Sequence, residues 1–152
     1  MACGPPPARD PPSATGPATR DPRPATRDPR TNKLDFLLVS AITTHVLDIS
    51  NGLPAAGVRV TLESSTAGDD WRVLGQGATD ADGRLRTLMP EAGSAPPGIY
   101  RLRFETGAYF HSLGTAAFHP DVTVTFEVAD GEAHHHVPLL VSPFGYTTYR
   151  GS

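Results

Sequence analysis

The stretch Val122-Thr123-Val124-Thr125-Phe126-Glu127-Val128, followed by Asp130-Gly131, sets an apolar side chain at every second position. Successive side chains on a strand point to opposite faces, so this period of two marks a strand with one face buried and one in water. Val58, Val60 and Leu62 alternate with Arg59, Thr61 and Glu63 in the same way, and Tyr100, Leu102 and Phe104 with Arg101, Arg103 and Glu105. Between the runs stand turn signals: Asn51-Gly52, Ala67-Gly68-Asp69-Asp70, Asp82-Gly83, Pro96-Pro97-Gly98 and Asp130-Gly131. The pattern predicts strands near 36–46, 57–64, 71–78, 84–88, 98–105, 121–129 and 133–142, with a short helix or irregular turn within 106–114. Short strands at this spacing make an all-β antiparallel sandwich or barrel. The strand–helix alternation of a doubly wound α/β fold is absent.

Working outward, the 152 residues have room for one domain and a tail. Nine of the sixteen prolines lie in the first thirty residues, where PATRDPR at 17–23 repeats at 24–30. Residues 1–31 hold no Leu, Ile, Val or aromatic side chain and cannot bury enough area to offset chain entropy, so they read as a disordered Pro/Arg-rich arm. The domain is expected over 32–152. The arm carries five Arg and three Asp, leaving eight basic and thirteen acidic residues for the domain. A mildly acidic domain argues against nucleic-acid binding, which needs a basic face against phosphates. No apolar run approaches the roughly 18–20 residues of a membrane span. The start, MACGPPPARD, lacks a positive n-region followed by an apolar core, so a cytoplasmic protein is expected. The single cysteine, Cys3, excludes an internal disulfide framework.

His134-His135-His136 is the densest titratable cluster, and it runs directly into the apolar Val137-Pro138-Leu139-Leu140-Val141. On a strand His134 and His136 share one face and His135 takes the other. Such a pair, joined by the distant His45 at the end of another predicted strand, can clasp zinc or act as general bases on a water. Asp80-Ala81-Asp82-Gly83-Arg84 is turn chemistry that opens like a calcium loop but lacks the downstream acidic ligands. The G-x-S-x-G elbow of hydrolases and the glycine-rich loops of nucleotide binders do not occur.

Four ordered blocks resemble the transthyretin-like proteins. Thr43-Thr44-His45-Val46-Leu47-Asp48 with Asn51-Gly52-Leu53-Pro54-Ala55-Ala56-Gly57-Val58 is similar to the family's opening, and Thr79-Asp80-Ala81-Asp82-Gly83-Arg84 to its middle block. Tyr100-Arg101-Leu102-Arg103-Phe104-Glu105-Thr106-Gly107 is similar to a later strand. The end, from His136-Val137-Pro138 through Tyr149-Arg150-Gly151-Ser152, resembles the 5-hydroxyisourate hydrolase branch, which closes on Y-R-G-S.

The resemblance implies a sandwich of two four-stranded sheets with one short helix, so one further strand is expected after Pro143. It implies a homotetramer, a dimer of dimers with active sites between dimers, and no metal or other cofactor. The implied catalytic set is His45, Arg84, His136 and Ser152, with His45, Arg84 and Ser152 also binding substrate. Thr44 and the strand at His136-Val137-Pro138 become scaffolding. The implied reaction is hydrolysis of 5-hydroxyisourate to 2-oxo-4-hydroxy-4-carboxy-5-ureidoimidazoline, on the route from urate to allantoin. His135 and His119 stand where the family commonly has aromatics, and Thr147 where it has Ser. His135 is expected to change packing or a subunit contact. Two alternatives stand beside this reading. One is a non-catalytic transthyretin-like protein that binds a small ligand. The other is a zinc hydrolase built on His45, His134 and His136.

Overall fold

The structure, a computed structural model, describes Gly4 and residues 40–66, 70–89, 94–131 and 133–152. The arm expected over 1–31 therefore lies, but for Gly4, outside the described residues. The strands are β1 (Ile42–Asp48), β2 (Leu53–Pro54), β3 (Arg59–Ser65), β4 (Trp71–Ala78), β5 (Arg84–Leu85), β6 (Gly98–Phe104), β7 (Val122–Val128), β8 (His135–Ser142) and β9 (Gly145–Thr148). Among the described residues one helix, α1 (Thr106–Ser112), sits between β6 and β7.

Two sheets form the sandwich. One runs β4-β3-β6-β7, antiparallel throughout. The other runs β2-β1-β8-β9, with β5 also paired to β1, so it holds five strands rather than the expected four. The extra member arises because β2 and β5 are two residues each and share one edge of β1, β5 opposite Thr44 and His45 and β2 opposite Leu47 and Asp48. A second difference lies in direction: β1 and β8 pair in parallel, Ile42 with His135 through Asp48 with Val141, in a sandwich expected to be antiparallel. Alternation along a strand states which residues share a face, and says nothing about the direction of a distant neighbour.

The strand expected after Pro143 is β9, which returns antiparallel along β8. The strand expected to end near residue 46 continues to Asp48, which places His45 in mid-strand; residues 36–39 of that prediction lie outside the described residues. The strand expected over 84–88 stops at Leu85, and Leu88 turns into the core instead.

Ile42 and Val46 of β1 and Val137, Leu139 and Val141 of β8 meet Val60 and Leu62 of β3 and Leu102 and Phe104 of β6 in one buried cluster. Each such side chain contributes about 1.5–3 kcal/mol by leaving water. The outward face of the first-described sheet carries the polar partners: Arg101 lies opposite Glu63, binds its carboxylate at 2.7 Å and stacks over Trp71. On the other side of the β1–β2 turn, the buried Asp48 accepts hydrogen bonds from the Ser50 amide, from Asn51 and from the Tyr109 hydroxyl of α1, which fastens the helix to β1.

Candidate functional site

Three strands bring the predicted residues onto one face. In β1 the side chains of Ile42, Val46 and Asp48 go inward, so Thr43 and His45 share the opposite face. Register then places Arg84 of β5 opposite His45, and His136 of β8 opposite Thr43. Residues directly opposite in a ladder project to the same side, so Arg84, His45, Thr43 and His136 form one patch across β5, β1 and β8.

Arg84 is delivered by its turn. The Asp80 carboxylate accepts the backbone N–H groups of Asp82 and Arg84, each at 2.9 Å, and the Gly83 carbonyl accepts the Val46 amide at 2.8 Å. Gly83 adopts φ +72°, and a Cβ there would collide with the Val46 carbonyl oxygen. Only glycine meets both demands. The Asp-x-Asp-Gly segment thus works as a clamp that holds Arg84 against β1, with Asp80 spent on backbone amides.

The C-terminal segment closes the patch. Gly151 pairs with His136 and donates its N–H to the His136 carbonyl at 2.9 Å. His45, Arg84, His136 and Ser152 all line one cavity of about 590 Å³. Thr43, Thr44, His134, Arg86, Thr87 and Tyr149 complete its wall. Arg86 lies just beyond β5, which ends at Leu85, so strand alternation carries no signal for it.

His134 and His136 share a side as the alternation required, with rings nearly parallel and centroids 6.4 Å apart. Between them stands the Thr43 hydroxyl, 3.0 Å from His134 Nε2 and 2.9 Å from His136 Nδ1. Thr44, the residue expected as scaffolding, donates instead to the Val137 carbonyl at 2.7 Å and locks β1 to β8 from the inner side. Among the described residues no three of His, Cys, Asp and Glu gather into a group that could hold a metal ion.

His135 turns the other way. It is buried between the sheets, 8% exposed, with Nδ1 lacking a hydrogen-bond partner among the described residues. It lines a separate cavity of about 400 Å³ with Val124, Phe126 and Val137. His119 packs edge-on against both Phe118 and Tyr146 on the surface.

Electrostatics favour neutral imidazoles at the cavity. Burial holds His45 below the ordinary imidazole value of 6.5, the Arg84 charge adds to this, and a backbone hydrogen bond with Asp82 and the Asp80 and Asp82 charges oppose it. Burial likewise holds His136 low, followed by the charges of Arg84, His134 and His45. Two neutral bases beside a fixed guanidinium suit a reaction that removes a proton from water and builds negative charge on a carbonyl oxygen.

The model of the HIUase/Transthyretin family matches residues 42–151. A 5-hydroxyisourate hydrolase of Salmonella dublin is 46% identical over 111 residues, which cover 73% of this chain and 80% of the relative. Among solved structures, the 5-hydroxyisourate hydrolase of Klebsiella pneumoniae aligns with a TM-score of 0.62 at 39% identity, over 73% of this chain and 92% of its own. Transthyretin from Sparus aurata aligns with a TM-score of 0.68 at 34% identity, over 73% and 96%. The shared fold does not separate a hydrolase from a transthyretin.

Proposed function

Since the chain belongs to the HIUase/Transthyretin family, we propose that it hydrolyses 5-hydroxyisourate to 2-oxo-4-hydroxy-4-carboxy-5-ureidoimidazoline in urate degradation. The observation that carries this reading is the meeting of two neutral imidazoles, His45 and His136, with the Arg84 guanidinium at one cavity. Relatives named 5-hydroxyisourate hydrolase, at 46% identity in one case, support the substrate.

The chemistry follows from the groups present. An imidazole takes a proton from water as its oxygen attacks the cyclic amide carbonyl, and the resulting imidazolium returns that proton to the ring nitrogen as the carbon–nitrogen bond breaks. Arg84 keeps its charge throughout, and its planar fork matches the adjacent oxygens of an oxidised purine, stabilising the oxyanion. Ser152 offers a hydroxyl to the substrate. His45 and His136 stand on the two sides of the site, one next to Arg84 and one next to the C-terminal segment, so either can accept the first proton. We assign the assembly as a homotetramer, a dimer of dimers with the cavity between dimers. The exposed aromatics Phe118, Phe144 and Tyr146 are consistent with subunit contacts. The test is turnover of freshly generated 5-hydroxyisourate above its uncatalysed decay; binding without turnover would favour a carrier.

A further inference from the structure

Thr43 is 4% exposed, its main chain lies in the β1–β8 ladder, and its hydroxyl meets ring nitrogens of two histidines. A hydroxyl carries one hydrogen, so it donates to one nitrogen and accepts from the other. Resting on the hydrolase reading, we propose that Thr43 is a positioning residue that selects the tautomer of His136 and links it to His134. His136 donates Nδ1–H to the Thr43 oxygen, and Thr43 donates its own hydrogen to His134 Nε2. That arrangement leaves Nε2 of His136 as a lone pair for the cavity, the form a general base needs.

The same bonds carry charge outward. When His136 Nε2 accepts the proton from water, its Nδ1 proton passes to the Thr43 oxygen, and the Thr43 hydrogen passes to His134 Nε2. Three protons each move one place, and none is gained or lost. The positive charge then rests on His134, which is exposed to water, rather than on the half-buried His136 near Arg84. Returning the shift delivers the proton to the leaving nitrogen. Thr44, the neighbouring threonine, is spent on the Val137 carbonyl and cannot substitute.

The experiment compares Thr43→Val, Thr43→Ser and His134→Ala, by steady-state kinetics and by nitrogen-15 NMR of the imidazoles. The expected result is a fall in kcat of about 10- to 100-fold for Thr43→Val with KM within about twofold, the scale of a misplaced catalytic group. Thr43→Ser should restore most of the loss. NMR should find His136 as the Nδ1–H tautomer in the wild type and mixed in Thr43→Val. His134→Ala, a change at an exposed position, removes the acceptor and should mix the tautomers while leaving the fold intact, which keeps the test decisive if Thr43→Val does not fold. A wild-type His136 in the Nε2–H form, or a Thr43→Ser variant as impaired as Thr43→Val, overturns the proposal. A wild type with the expected tautomer but no turnover would overturn the hydrolase reading and leave the tautomer selection standing.

Discussion

Gly151 lies against His136: its amide donates to the His136 carbonyl at 2.9 Å, and a Cβ built on it would come 2.5 Å from Cδ2 of the imidazole. The glycine leaves the space in which the ring lies. Gly151→Ala is therefore expected to displace either the ring or the terminal segment that brings Ser152 to the cavity. Shifts of about 1 Å at reacting groups cost up to about 100-fold in rate. Kinetics beside a thermal melt check this, with a large loss of kcat and a small change in melting temperature expected.

Gly83 carries a different burden, since it needs φ +72° and close approach to Val46. Gly83→Ala should destabilise the fold by at least about 1 kcal/mol, the cost of a side chain in the left-handed region, with the steric clash added. It should also loosen Arg84. Chemical denaturation gives the first, and a rise in KM the second.

The pH dependence has a definite sign. In the proposed mechanism neutral His45 and His136 are the working bases, and both have folded-state values below 6.5. Activity should hold from neutrality down to about 6.5 and fall only as pH drops through the lower folded values. Stability moves the same way: the unfolded chain takes up protons first, so the folded state loses ground below 6.5. Arg84→Gln should raise both imidazole midpoints, though not fully to 6.5, because burial is the larger cause in each case. Proton NMR titration reads the midpoints directly.

The proposed mechanism, built on His45, His136, Arg84 and Ser152, routes no step through a metal ion. Turnover should survive dialysis against a chelator. Loss on chelation, restored by zinc, would bring back the reading of His45, His134 and His136 as ligands.

Much of this site is legible in the sequence. Alternation alone separated His134 and His136 from His135, because a strand has only two faces, and the structure keeps that division. The position of Arg84 after Asp82-Gly83 was readable as a turn, but its place opposite His45 depends on a two-residue ladder too short to leave a periodic trace. The parallel partnership of β1 and β8 was hidden for a similar reason, since pairing between segments some 90 residues apart leaves no mark in either one. Thr43 carries no signal of its own because threonine is ordinary in strands; only the β1–β8 register turns its hydroxyl into a bridge between imidazoles. The tight fit of Gly151 on His136 likewise needed the chain's return along β8.

The most direct measurement of the central claim is the decay of freshly generated 5-hydroxyisourate in the presence of wild-type protein, His45→Ala and His136→Ala. The account predicts rapid turnover by the wild type and a loss on the order of 10²–10⁴ in kcat for each variant, with the fold retained. Wild-type decay no faster than in buffer, or both alanine variants working at the full rate, would contradict it.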